Sequence, residues 1–150
     1  MINNFALFGA IFEFNLAFFL AAILIVGVLI FAAVSMTSHK VVKIDTAKYQ
    51  AEFLSIENGL DKLQPKSWNE TVFELDKMLD EVLRELGFEG NTMADRLRSA
   101  NSSIKNINAV WYAHKLRNEI AHTRKFSVGF EQAKRAVKVY RRALQDLGVI

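Results

Sequence analysis

A long apolar run near the start of the chain limits what this sequence can fold into. Residues 16–36 contain no charged side chain and almost no polar one. Twenty residues of α-helix rise about 30 Å, which is the thickness of the hydrocarbon core of a membrane. The sequence therefore predicts a single transmembrane helix within residues 1–36, with the lipid bilayer as a partner.

The residues that flank the run predict its orientation. The side before it carries no Lys or Arg, whereas Lys40, Lys43 and Lys48 follow it closely. Because positive charge stays on the cytoplasmic side, we expect a single-pass protein of the cell membrane, with its N-terminus outside and its C-terminal domain cytoplasmic. A carboxylate in lipid costs about 2.5–3.5 kcal/mol, so Glu13 is expected at the headgroup level or against a partner helix.

The remaining chain shows helical periodicity throughout. Three segments carry apolar stripes at spacings of three and four: Tyr49, Phe53, Ile56, Leu60 and Leu63; Trp68, Val72, Leu75, Leu79, Val82 and Leu86; and Phe130, Ala133, Val137, Tyr140, Leu144 and Leu147. Thr92 and Asp95 have the spacing that caps a shorter helix. No segment alternates as a strand does. We therefore predict an all-α bundle of about five helices at residues 45–150, behind a juxtamembrane linker at residues 37–44.

One of these helices contains two of the three histidines. Its buried stripe is Ala109, Ala113, Leu116 and Ile120. Beside it lie His114, Asn118 and His122, each four residues from the next, so the three side chains stack along the helix. This polar row is either a helix edge satisfied by its neighbours or a site for chemistry.

The motif Arg117-Asn118-x-x-x-His122 resembles the R-x4-6-H signature of the HEPN superfamily. HEPN domains are small helical bundles, and many are metal-independent ribonucleases. The resemblance covers about the last hundred residues and is densest at residues 109–122. The phrase around the motif is also similar to small bacterial proteins that join a membrane segment to a HEPN-like domain.

The resemblance implies catalytic roles for the motif residues. His122 would be the acid or base, Arg117 would hold the phosphate and Asn118 would orient the imidazole or the ribose. His114, outside the family motif, would be a second proton carrier. Histidine suits proton transfer because its pKa is near 6.5, and arginine can bind two phosphate oxygens at once.

The spacing of the motif raises a geometric problem for a single chain. Arg117 and His122 diverge by about 140° around a helix, so one helix directs them poorly at a common phosphate. HEPN ribonucleases complete the site with a second protomer, so the resemblance implies a homodimer. The alternative is an inactive bundle that binds RNA or a protein partner, with Arg117 paired to acidic residues. Whether the domain is an enzyme therefore stays open between an interaction or RNA-binding module and a metal-independent endoribonuclease.

Charge is divided sharply along the chain. Residues 45–95 contain twelve acidic and five basic residues, a net charge of −7, whereas residues 105–142 contain ten basic and two acidic ones, a net charge of +8. The last helix carries a basic face formed by Lys134, Arg135, Lys138, Arg141 and Arg142. Such a face predicts an anionic partner such as RNA, unless the two halves compensate each other or the face meets an anionic membrane.

The sequence predicts no cofactor and no metal site. His114 and His122 lie two helical turns apart, the chain has no cysteine, and no acidic residue is spaced as a further ligand. A glycine-rich phosphate loop and a nucleophile elbow are absent from the sequence as well. The candidate chemistry is therefore limited to side-chain acid–base catalysis and cation–phosphate contacts.

Overall fold

The computed structural model describes residue 16, residues 18–32 and residues 44–150, and the chain divides into two compact units, Met1–Lys40 and Val41–Ile150. In the second unit five helices follow one another: α1 (Thr46–Asn58), α2 (Pro65–Glu85), α3 (Met93–Ser99), α4 (Ile107–His122) and α5 (Phe130–Asp146). No strand occurs in the described residues. The prediction of an all-α bundle of about five helices is confirmed.

The prediction of a transmembrane helix is wrong. Residues 18–32 are helical and exposed, but no helix among the described residues has both the length and the apolar character needed to cross a membrane. The predicted single-pass location in the cell membrane, with an outside N-terminus and a cytoplasmic domain, is wrong for the same reason. Glu13 and residues 37–43 of the predicted linker lie outside the described residues.

Helix α2 is the centre of the bundle, because it contacts each of the other four helices. Its inward face is formed by Val72, Leu75, Met78, Leu79, Val82 and Leu83, all almost completely buried. Burying one such side chain stabilises the fold by about 1.5–3 kcal/mol. The facing side of α5 includes Ala133, Ala136 and Ala143, whose small side chains let the two longest helices approach closely. The apolar stripes read from the sequence thus contribute to one core, except for Leu63, which follows the end of α1 and is 87% exposed.

Polar caps fix the beginnings of α3 and α4. The Thr92 hydroxyl accepts a hydrogen bond from the Asp95 backbone N–H at 3.2 Å, and the Asp95 carboxylate accepts from the Thr92 backbone, as predicted. The hydrogen bond from the Thr92 side chain holds the pKa of Asp95 below its usual value. Helix α4 is capped by Asn106, whose side-chain oxygen accepts a hydrogen bond from the Ala109 backbone N–H at 3.2 Å.

A buried arginine joins α2 to α3. The Arg96 guanidinium donates to both carboxylate oxygens of Asp80, at 2.8 and 2.9 Å, and to the Gly90 carbonyl at 2.7 Å. Gly90 has a φ of 149°, and a Cβ added there would lie 2.5 Å from the Cβ of Asp95. The loop between the two helices therefore requires glycine, and Arg96 serves the fold.

Candidate functional site

A buried carboxylate lies where α2, α4 and α5 meet. The side chain of Asp76 is almost fully buried, and its Oδ1 accepts a hydrogen bond from the Tyr140 hydroxyl at 2.9 Å. His114 Nδ1 lies 2.9 Å from the same oxygen. A buried charge is costly unless it is paired and hydrogen-bonded, so these two contacts are needed for Asp76 to occupy this position.

The hydrogen bonds around His114 determine which of its ring nitrogens carries the proton. An ionised carboxylate can only accept, so Nδ1 donates to Asp76 and Nε2 is left as an acceptor. Asn118 Nδ2 lies 3.2 Å from Nε2 and donates to it, while Asn118 Oδ1 accepts from Arg117 Nη1 at 3.2 Å. The result is a continuous chain of donors from Arg117 through Asn118 and His114 to Asp76, with both imidazole nitrogens occupied.

Arg117 lies against α2, next to Asp76 and Phe73. Its Nε lies 3.5 Å from Asp76 Oδ2, and its guanidinium carbon lies 5.1 Å from the centroid of the Phe73 ring. About a third of the Arg117 side chain is exposed. The positive charge of Arg117 therefore faces the negative charge of Asp76, and an aromatic ring covers one face of the guanidinium.

Tyr140 completes the group that we call the Asp76 cluster: Asp76, His114, Arg117, Asn118 and Tyr140. Burial, and then the neighbouring charge of Asp76, raise the pKa of the Tyr140 phenol well above its usual value. The hydroxyl therefore stays protonated and remains a donor. Every member of the cluster has a partner inside the protein.

His122 lies outside this cluster. It is exposed at the C-terminal end of α4 and makes no hydrogen bond or ion pair with the residues that the structure describes. The structure thus brings together His114, Arg117 and Asn118, which are three of the four predicted catalytic residues. The fourth, His122, lies apart from them. Arg117 is directed at Asp76 instead of sharing a site with His122 in this chain.

Two members of the cluster, Asp76 and Tyr140, were not among the site residues predicted from the sequence. Asp76 follows Val72 by four residues and precedes Leu79 by three, so it occupies a position on the apolar stripe of α2. A carboxylate at such a position signals a buried partner. Tyr140 was predicted as a core residue, which it is, but its hydroxyl also has a polar role. Neither contact can be found from spacing alone, because the partners are 38 and 64 residues apart.

The second candidate site is an open cavity of about 580 Å³ between α4 and α5, which we call the basic cleft. It is lined by Asn106, Ala109, Tyr112, Glu131, Gln132, Lys134, Arg135, Lys138, Val139 and Arg142. Four of the five predicted nucleic-acid-binding residues are in this list. With Glu131 as the one carboxylate among four cations, the lining has a net charge of +3.

The fifth predicted residue, Arg141, is not part of the basic cleft. It points to the other side of α5, because consecutive residues lie 100° apart around a helix. There its guanidinium pairs with the carboxylate of Glu57 and lies 4.6 Å from the ring centroid of Phe53. Arg141 therefore joins α5 to α1, as the alternative of compensating acidic and basic halves predicts.

The cations of the basic cleft are not compensated in this way. Lys134, Arg135, Lys138 and Arg142 are all exposed, and none forms an ion pair within residues 16, 18–32 and 44–150. Lys134 makes an intramolecular cation–π contact, with its ammonium 6.0 Å from the Phe130 ring centroid. These four side chains are therefore available to an external anion.

The two candidate sites lie on different flanks of α4. Tyr112 lines the basic cleft and His114 belongs to the Asp76 cluster, and two residues correspond to about 200° around a helix. The polar row and the basic face therefore do not form one continuous surface.

No group of three or more histidine, aspartate or glutamate residues that could hold a metal ion is found in the part of the chain that the structure describes. No protein-family model, no curated protein and no solved structure matches this chain.

Proposed function

We propose that the helical domain is an RNA-binding module and that the basic cleft is its binding site. The observation that carries this proposal is the contrast among the cations of the domain. Arg96, Arg117 and Arg141 each have a carboxylate partner, whereas the four cations of the basic cleft have none among the described residues. Unpaired cations gathered along one side of a helix attract a polyanion and bind its phosphates.

The dimensions of the basic cleft suit a short stretch of RNA. From Lys134 to Arg142 the helix rises about 12 Å, so the basic cleft can contact only a few successive nucleotides of one strand. Each arginine can hold two oxygens of one phosphate, and each lysine acts as a point charge. If all four cations neutralise a phosphate of a single strand, the logarithm of the binding constant falls with the logarithm of salt concentration at a slope of about −2.8.

The adjacent residues Arg141 and Arg142 allow a controlled test, because only Arg142 lines the basic cleft. The full chain is titrated into fluorescently labelled RNA at several salt concentrations, as wild type, as the double variant Lys138→Gln with Arg142→Gln, and as Arg141→Gln. Because two phosphate contacts are lost, the double variant should bind more weakly, with a slope shallower by about 1.4. Arg141→Gln removes the same type of charge from the adjacent position and should leave the slope unchanged.

Three results would contradict the proposal. The first is binding that does not depend on salt, and the second is a slope that Arg141→Gln changes as much as the double variant does. The third is a higher affinity for an acidic polypeptide than for RNA, which would make the basic cleft a protein-binding surface. Circular dichroism of each variant checks that the bundle is folded.

The alternative function, a metal-independent endoribonuclease, requires Arg117 and His122 at one phosphate. In this chain Arg117 is paired with Asp76 and Asn118, and His122 is exposed without a partner among the described residues. The pairing of Arg117 with Asp76 favours binding over cleavage, whereas an exposed His122 is also what a site shared across a homodimer requires. The relationship to HEPN domains stays a prediction, which the all-α bundle and the helical placement of the motif support, and the homodimer stays a prediction with it.

A further inference from the structure

We infer that the basic cleft selects single-stranded RNA and that Tyr112 is the residue on which a base stacks. This inference rests on the proposed function and adds a specificity-determining residue to it. Tyr112 lines the cleft from α4, whereas Lys134, Arg135, Lys138 and Arg142 line it from α5. One wall of the cleft is thus aromatic and the other cationic.

The environment of Tyr112 differs from that of the other two tyrosines. Tyr49 and Tyr140 are completely buried, whereas 55% of the surface of Tyr112 is exposed. Within the described residues the Tyr112 ring has no aromatic or cation–π partner. A ring on a rigid helix with an accessible face can receive a planar base without reorganisation of the bundle.

An exposed ring beside unpaired cations distinguishes single strands from duplexes. The bases of a duplex are stacked inside the helix, and only the unpaired bases of a single strand can turn out and stack on a side chain. The cations bind phosphates of either form. We therefore expect the four cations to supply the salt-dependent part of the affinity and Tyr112 to supply a salt-independent part for single strands alone.

The amide side chains in the cleft indicate weak base selectivity. The side-chain oxygen of Asn106 accepts from the Ala109 backbone, and that of Gln132 accepts from the Gly129 backbone at 2.8 Å. Both oxygens are therefore held at helix N-termini, so the paired donor and acceptor contacts that read an adenine edge would require an oxygen that is already hydrogen-bonded to the backbone. Stacking without edge recognition should accept all four bases with similar affinity.

The test compares an eight-nucleotide single strand with a duplex of the same length, each titrated with the full chain. Tyr112→Ala should weaken binding of the single strand about 5- to 150-fold and leave both the salt slope and the duplex affinity unchanged, because only stacking is lost. Tyr112→Phe keeps the ring and should bind as the wild type does. Arg142→Gln should weaken binding of both forms and make both slopes shallower.

A photochemical crosslink provides a second measurement that a merely structural tyrosine would not give. A single strand that carries 5-iodouridine is irradiated with the wild-type chain, and the crosslinked peptide is identified by mass spectrometry. We expect the crosslink at Tyr112. A crosslink confined to residues outside the basic cleft would overturn the inference, even if Tyr112→Ala fails to fold.

The failure of this inference can be distinguished from the failure of the proposed function. If Tyr112→Ala binds the single strand as tightly as the wild type, or if the wild type prefers the duplex, the stacking role is wrong while RNA binding by the cations stands. If the wild type binds neither RNA, both are wrong.

Discussion

The two flanks of α4 use similar side chains in opposite ways. On one flank the Asp76 cluster surrounds a buried carboxylate with a phenol, an imidazole and a guanidinium, and each of these side chains has a hydrogen-bond or ion-pair partner in the protein. On the other flank the basic cleft holds four exposed cations that have no carboxylate partner among the described residues. The presence of histidine or arginine therefore does not by itself identify a binding site, and the proposed RNA binding rests on the four clustered cations that lack an internal partner.

Under the proposed function, the Asp76 cluster stabilises the fold and the basic cleft binds RNA. A charge that is already compensated inside the protein has little left to offer a ligand, because its partner must first be displaced. An exposed and uncompensated charge costs little to present and contributes its full attraction to an approaching polyanion. Variants in the Asp76 cluster should consequently change the free energy of unfolding, whereas variants in the basic cleft should change the affinity for RNA.

The largest effect is expected from Asp76→Ala. It leaves the Tyr140 hydroxyl and the His114 imidazole without their acceptor and the Arg117 guanidinium without its ion-pair partner, so the free energy of unfolding should fall by about 3–5 kcal/mol. Chemical denaturation measures this loss. The control is Glu70→Gln, an exposed carboxylate on the same helix, which should change the stability by less than about 0.5 kcal/mol. Equal stability of Asp76→Ala and wild type would show that the cluster is not structural.

A smaller effect is expected from Arg96→Ala, which removes the buried guanidinium between α2 and α3. Asp80 keeps partial access to water and a weaker contact with Arg84, so we expect a loss of about 2–3 kcal/mol in unfolding free energy. Arg135→Ala removes an arginine from the basic cleft and should leave stability within about 0.5 kcal/mol. Equal losses of unfolding free energy in Arg96→Ala and Arg135→Ala would contradict this contrast between a paired and an unpaired arginine.

The dependence of stability on pH tests Tyr140 in particular. Its pKa is raised in the folded state, whereas an unfolded tyrosine titrates near 10. Above about pH 10 the unfolded chain releases this proton and the folded chain keeps it, so the free energy of unfolding falls as pH rises. The contribution of Tyr140 should approach about 1.4 kcal/mol per pH unit.

The measurement compares the wild type with Tyr140→Phe between pH 8 and pH 11. Phenylalanine has no proton to release. The unfolding free energy of the wild type minus that of the variant should therefore decrease as pH rises. A difference between the two proteins that stays constant with pH would contradict a buried, neutral Tyr140.

Sequence patterns predicted the parts of the fold that depend on local spacing. The stripe through Val72, Leu75 and Leu79 predicted α2, and the spacing of Thr92 and Asp95 predicted the cap of α3. The stripe starts at Trp68 and does not show that α2 begins three residues earlier, where Pro65 takes the first helical position and the Ser67 hydroxyl donates to the Gln64 carbonyl at 2.8 Å. In contrast, the transmembrane helix that the apolar composition of residues 16–36 predicted is not found among the described residues.

The sites depend on contacts between distant parts of the chain, which spacing does not reveal. The basic face was predicted from charge, yet Arg141 and Arg142 are adjacent and look equivalent in the sequence. Only the position of Glu57 on α1 shows that the first is paired while the second lines the cleft. In the same way, only the position of Asp76 shows that Arg117 has an internal partner.

The most direct test of the account compares the salt dependence of RNA binding in Arg142→Gln and in Arg117→Gln. Arg142→Gln removes a guanidinium from the basic cleft, and Arg117→Gln removes one from the Asp76 cluster on the opposite side of α4. We predict that Arg142→Gln makes the slope shallower by about 0.7, the value for one phosphate of a single strand, whereas Arg117→Gln lowers stability and leaves the slope as in the wild type. The opposite result, a shallower slope with Arg117→Gln and an unchanged one with Arg142→Gln, would place the phosphate at the motif arginine and contradict the account.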